Sequence, residues 1–273
     1  MNLKVYSHFH KEFPINRNSS WLVPTFAASS EAYGHSSLPS GYTNVTAFGG
    51  GINKFKWYYS SKTDEDGFLK AMGQQATEYW MLDQNPTVDY IGCSTYRRYL
   101  MVDPEAPKNV SKIIMAPEQE NADMLGSDEI GNIILQYMET ADVLTNHSIA
   151  VNHSVESQYL ESQPREYWDK FLEAIDVLYP DYRKHLTWFK QCSIINFETC
   201  YVMRRQIFRK YATELFEILE YIFKNSSNVY PTQQTTSEPL PWRYPGFLGE
   251  RFFPFFVYAN GLRRIQVPLV VLQ

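Results

Sequence analysis

The sequence predicts an α/β fold, a central sheet with helices on its faces, from three observations. Short apolar runs of strand length alternate with stretches whose apolar residues recur every three or four positions. The middle third of the chain is helical in pattern. At 273 residues with 44% hydrophobic and 16% aromatic content, the chain can bury a substantial core, and its size suits one large domain over residues 1–273. In sheets of this kind ligands bind beyond the carboxyl ends of the strands, so function is expected on strand-to-helix loops.

Leu3 to Tyr6 reads as the opening strand. Trp21 to Phe26 reads as a second strand near a sheet edge, because Pro24 cannot donate to a ladder. Residues 28–51 are rich in Ser and Gly and end in Gly49-Gly50-Gly51, which predicts a flexible surface loop over 28–58; a phosphate-binding P-loop would need a helix start to follow, and none does. A helix is expected from about Gly67 to Leu82, with Leu69, Met72, Ala76, Tyr79 and Trp80 on its apolar face and Asp64 or Asp66 as its cap. Val88 to Cys93 and Lys112 to Ala116 are strand candidates. Ser127 to Met138 is a second helix, burying Ile130, Ile133, Ile134 and Tyr137, and Asp142 to Thr145 returns to strand.

Pro164 suits a helix start, and Tyr167, Trp168, Phe171, Leu172, Ile175 and Leu178 form one apolar face before Pro180 ends it. Ile194 to Met203 reads as a continuous strand. Gln206 to Phe223 follows as a helix burying Ile207, Phe208, Tyr211, Leu215, Leu219 and Ile222. Residues 225–245 are rich in Ser, Thr, Gln and Pro and are expected to form a lid over the site or a loose excursion.

The formal charge of −5 removes the diffuse basic field of a general nucleic-acid binder. Cys93, Cys192 and Cys200 cannot all pair and form no C-x-x-C unit, which argues against a disulfide scaffold and a zinc cluster and for a reducing, cytoplasmic setting. Residues 1–13 lack the apolar core of a secretory signal. The apolar run Phe252 to Ala259 is short, contains Pro254 and precedes Arg263 and Arg264, so no integral membrane segment is expected and membrane contact would be peripheral, at the inner membrane.

The segment with the most specific chemistry is Asp89-Tyr90-Ile91-Gly92-Cys93-Ser94-Thr95-Tyr96-Arg97-Arg98-Tyr99, an apolar strand that empties into two guanidinium groups between aromatic rings. Arg presents a rigid fork of donors to phosphate oxygens, and a Tyr ring beside it can stack on a base or sugar. The competing reading is a surface pair bonded to carboxylates. Asp64-Glu65-Asp66 has the Asp-x-Asp spacing that can hold Mg or Mn through carboxylate oxygens, and equally the acids expected before a helix.

The Asp89–Tyr99 segment resembles the Asp-Tyr-Ile-Gly-Leu-x-His-Tyr-Arg-Arg-Tyr hallmark of a bacterial family of capsular and O-antigen polysaccharide glycosyltransferases. Further matches follow in the same order. His10-Lys11 is similar to the family's early His-Lys, and Glu78-Tyr79-Trp80 resembles its Glu-x-x-x-x-Tyr-Trp helix with shortened spacing. Asn196-Phe197, Tyr201-Val202-Met203 and Phe208 resemble its Asn-Met-Phe-Ile-Met strand and the helix after it. Gly246 to Arg251 is similar to its closing Gly-Phe-Leu-Ala-Glu-Arg. Two departures stand out: Thr95 replaces the hallmark His, and residues 28–58 differ from the usual short connection.

This resemblance implies a GT-A-like (Rossmann-like) central mixed sheet flanked by helices, a UDP-sugar donor (hexose or furanose) and a saccharide acceptor. Donor-binding candidates are His10, Lys11, Glu78, Tyr96, Arg97, Arg98, Asn196 and Arg251. The catalytic candidates are Glu250, as the base that takes the acceptor proton, and Asp89; His153 and His10 stand behind them. Each has a structural counterpart: Glu250 as a surface carboxylate paired with Arg251, Asp89 as the cap of its own turn, each His as a packing residue. Asp64 and Asp66 are the metal candidates for Mg or Mn. Two alternatives remain. One is a phage-type glycosyltransferase acting on hydroxymethylated bases in DNA, and the other a noncatalytic carbohydrate-binding module.

Overall fold

The computed structural model describes residues 2–9, 13–26, 42–44, 74–103, 105, 110–196, 200–226 and 244–273. Strand β1 (Leu3–Phe9) is buried along almost its whole length, as expected for a strand covered on both faces. It lies between β2 (Leu22–Phe26) and β4 (Tyr90–Thr95), parallel to both, and the two-residue β3 (Thr43–Asn44) extends the sheet beyond β2. Pro24 falls one residue before β3 begins to pair, so its missing N–H leaves no gap in that ladder. On the other side of β4 come β10 (Tyr201–Arg204), β7 (Val143–Asn146) and β11 (Arg264–Val267).

The seven strands therefore run in the order β11-β7-β10-β4-β1-β2-β3, and only β10 is antiparallel to its neighbours. This is the mixed sheet that the family resemblance implies. A second sheet of three strands, β5 (Arg98–Leu100), β12 (Leu269–Leu272) and β6 (Lys112–Met115), packs beside it. Lys112 to Ala116 is thus a strand of this smaller sheet and not of the central one.

One face of the large sheet is covered by α1 (Gln74–Gln84), α4 (Val155–Leu160), α5 (Arg165–Leu178), α6 (Arg183–Gln191), α7 (Arg205–Asn225) and α8 (Tyr244–Ala259). Trp168, Phe171, Ile175, Phe189, Phe208, Phe252 and Phe255 fill that layer. The opposite face carries α2 (Gln119–Leu125), α3 (Asp128–Thr140) and the small sheet. The α3 cap matches the sequence: Ser127 accepts from the Ile130 backbone N–H.

The run from Ile194 to Met203 departs from its expected form. It is two strands: β9 (Ile194–Ile195) pairs with β8 (Ile149–Ala150) in a separate ribbon, and only β10 enters the large sheet. The cause lies at Asn196, which is fully buried and donates to the Asn146 carbonyl at 2.9 Å instead of continuing a ladder. Two glycines permit close contacts. A Cβ on Gly92 would collide with the Tyr201 carbonyl and come within 2.9 Å of Val202 Cγ2. One on Gly249 would meet Gln75 Cδ at 2.9 Å, so this glycine lets α8 press against the start of α1. The expected loop at 28–58 lies outside the described residues apart from Tyr42, Thr43 and Asn44, and most of the expected lid at 225–245 lies outside them as well.

Candidate functional site

In the central sheet the chain leaves β1 toward β2 and β3, then returns to place β4 on the other flank of β1. The carboxyl ends of β1 and β4 thus border the switch point where ligands of open α/β sheets bind. Beyond β4 the chain makes a tight turn at Tyr96 and Arg97 before β5, and the Tyr96 N–H donates to the His8 carbonyl at 2.9 Å. The Tyr96 ring packs edge-on to Phe13 at 5.1 Å and lies 6.1 Å from Phe9. Arg97 holds its guanidinium carbon 5.7 Å from the centre of the Tyr96 ring, which places the cation over an aromatic face just beyond the carboxyl end of β4.

Arg98 does not share that position. It is the first residue of β5, opposite Val271 of β12, and successive strand residues point to opposite faces. The structure thus places Arg97 in the turn and Arg98 in the strand that follows it.

Near the carboxyl end of β1 lies a buried polar layer. His8 Nδ1 is 2.9 Å from Thr77 Oγ1, which is 3.2 Å from Thr25 Oγ1, and Thr25 donates to the Ser7 carbonyl at 2.9 Å. Glu78 lies on the same helix, 1% exposed, and accepts from the Tyr201 hydroxyl at 2.9 Å and from Gln74 at 3.5 Å. Burial pushes the Glu78 carboxyl up from 4.5 to about 7, against the pull of its hydrogen bonds from Tyr201, Gln74 and Tyr211. Glu78 is therefore a buried acid behind β4 and β10, without a surface from which to touch a donor. His8, Thr25 and Thr77 had a signal in the sequence, polar residues at the last turns of otherwise apolar strands and at a helix start, but no motif marks them.

Asp89 is placed far from the arginines. It precedes β4 at the opposite edge of the sheet and accepts from the Asn2 N–H at 2.8 Å. Six strand residues, about 20 Å, separate it from Tyr96. A hollow of about 630 Å³ opens at that edge between Asp89, Arg204 and Arg205. Arg204 is engaged there structurally: it stacks 5.6 Å from the Tyr90 ring and lies 3.8 Å from Asp142.

Arg251 is also not where a donor would meet it. Its side chain is 1% exposed, stacks 5.3 Å from the Tyr159 ring, donates to the Phe247 carbonyl at 2.7 Å and bonds Gln158, so it clamps α8 to α4. Desolvation lowers its pKa from the ordinary arginine value. Glu250, in the second turn of α8, is partly exposed with Oε2 at 3.8 Å from Arg251, and Gly249 beside it contacts Gln75 of α1. Asn196 spends its amide on Asn146, Ser148 and Arg264. His153 is exposed ahead of α4. His10, Lys11, Asp64 and Asp66 lie outside the described residues.

Among the described residues no group of three or more His, Cys, Asp or Glu is placed to hold a metal ion. At the β4 exit the side chains are Thr95, Tyr96 and Arg97, neutral or cationic, which do not suit a hard divalent ion. No described helix is long and apolar enough to cross a membrane.

The whole chain superposes on the apo structure of the bifunctional glycosyltransferase WbbM with a TM-score of 0.72 at 18% identity, covering 100% of this chain and 46% of that one. The chain thus spans less than half the length of that structure, and the likeness is one of fold. No curated protein matches the sequence. The family model described as a domain of unknown function, DUF4422, matches residues 75–261, from the start of α1 to just past the end of α8, and the chain belongs to that family.

Proposed function

We propose that the protein is a glycosyltransferase that moves a sugar from a UDP-sugar to the hydroxyl of a saccharide acceptor. The supporting observation is the Tyr96–Arg97 turn, a cation held over an aromatic ring at the β1–β4 switch point. Breaking the bond between the sugar anomeric carbon and the diphosphate leaves negative charge on the phosphate oxygens. A guanidinium aimed at that place stabilises the charge as it develops. Arg97 is assigned this role, and His10 and Lys11 lie outside the described residues. Tyr96 offers its ring to the uracil or the sugar.

The acceptor oxygen forms the new bond to the anomeric carbon, and its proton passes to the Glu250 carboxylate. Arg251 sets the helix turn that carries Glu250 and does not itself meet the donor. Arg98, Glu78 and Asn196 support the site from β5, from the buried layer and from the β7–β11 end. Asp64 and Asp66, the candidate ligands for Mg or Mn, lie outside the described residues.

A panel of nucleotide sugars tested for mass-detected hydrolysis and for transfer to simple saccharides examines this reading. UDP-sugars should be turned over, and loss of UDP from the donor should accompany each transfer. Failure to bind or turn over any UDP-sugar, with or without Mn, would defeat the proposal.

A further inference from the structure

Beside the carboxyl end of β7 a second guanidinium is held without a counter-charge among the described residues, its side chain reaching there from the amino end of β11. Arg264 opens β11, the edge strand, and donates through Nη1 to Asn196 Oδ1 at 3.1 Å. Its neighbour Arg263 is different: it makes two hydrogen bonds to the Asp142 carboxylate, both at 3.1 Å. No carboxylate lies within ion-pair distance of Arg264 among the described residues, and burial is what lowers its pKa from the ordinary arginine value. A guanidinium has five N–H donors, so most of its hydrogen-bonding capacity remains unspent.

The surroundings hold that group in place with neutral atoms. Asn196 is fully buried, donates to the Asn146 carbonyl at 2.9 Å and accepts from Ser148 Oγ at 2.9 Å. Ser148 in turn accepts from Gln266 at 2.8 Å. These partners are already engaged, so they fix the orientation of Arg264 without neutralising it, the pattern of a preorganised binding group. Position adds a second argument. Three strand spacings, about 14 Å, separate the β11 backbone from β4, so β7 and β10 stand between Arg264 on β11 and the strand that leads into Arg97. Helix α8, which carries Glu250, packs on β9, the strand that leads into Asn196.

We infer that Arg264, braced by Asn196, Ser148 and Gln266, is an oxyanion subsite on the acceptor side, selecting a saccharide that bears a carboxylate or a phosphate. This rests on the glycosyltransferase reading for the word acceptor, though the subsite can be tested without it. The probes are glucuronate, glucose 6-phosphate and glucose, titrated by ligand-observed NMR against the full chain, with and without saturating UDP.

The acidic probes should bind at least about tenfold more tightly than glucose, the worth of a charge-assisted hydrogen-bond pair, in both conditions. The tighter of the two names the anion. Arg264→Gln should erase the preference while leaving UDP affinity unchanged, and Arg264→Lys should keep part of it. Equal binding of all three probes by the wild type overturns the inference even if Arg264→Gln does not fold, and so does a preference that survives Arg264→Gln. Normal UDP binding without acidic preference sinks this subsite alone; acidic preference without UDP binding sinks the glycosyltransferase reading and leaves the subsite standing.

Discussion

Replacing Glu78 by Gln tests whether a buried carboxyl behind the site is protonated in the folded protein. In the unfolded chain this carboxyl titrates near 4.5; in the fold, burial raises it to about 7. The folded state therefore binds more protons between those values, and the stabilisation from this group is present below pH 4.5 and lost as pH rises through 7. At 1.36 kcal/mol per pH unit, the loss between pH 5 and pH 8 is about 2.5 kcal/mol. Glu78→Gln is neutral throughout and keeps an oxygen for the Tyr201 hydroxyl, which bonds Glu78 at 2.9 Å. Urea denaturation of both proteins at pH 5 and pH 8 reads the difference. The variant should gain about 2.5 kcal/mol on the wild type over that interval. Parallel pH dependence in the two proteins, or a variant that loses ground as pH rises, would refute the assignment.

Other substitutions address the remaining links. Arg97→Ala should weaken UDP binding by about 10- to 100-fold, from the loss of charge-assisted hydrogen bonds, with thermal unfolding unchanged; calorimetry with UDP checks both signs. Glu250→Gln should cut transfer by about 100-fold or more while UDP affinity stays within twofold, a split that a purely structural carboxylate would not produce. Gly92→Ala should cost about 2–3 kcal/mol of stability by urea denaturation, because its Cβ has no room between β4 and β10.

Much of the fold could be read from apolar spacing alone, and the reasons differ by element. Helix α5 is legible because Trp168, Phe171 and Ile175 are all fully buried on one face at helical spacing. The opening strand is legible because burial on both faces demands a continuous apolar run. The run from Ile194 misleads because apolar content does not say which sheet a residue joins, and a buried amide at Asn196 breaks it. The C-terminal strands escape notice because Pro268 divides two four-residue strands that enter different sheets. Helix α6 hides for another reason: Phe189 is its only buried residue, so too few apolar side chains mark it as a core helix.

For the site, the strand-exit pattern points to Tyr96 and Arg97 because a strand must end where its loop begins. The same rule displaces Asp89, since a residue at the start of a strand belongs to the opposite edge. Arg251 could not be read as a buried clamp, because arginines are rarely found so deep unless partnered. The buried His8–Thr77–Thr25 layer and the Arg264 network depend on contacts between distant segments, which no local pattern carries.

The most direct test is a crystal structure of the protein soaked with UDP. The account predicts diphosphate oxygens within hydrogen-bonding distance of the Arg97 guanidinium, at the carboxyl ends of β1 and β4, with the Tyr96 ring alongside. A nucleotide bound at the Arg204–Arg205 edge, or an Arg97 side chain turned away from a bound diphosphate, would contradict it.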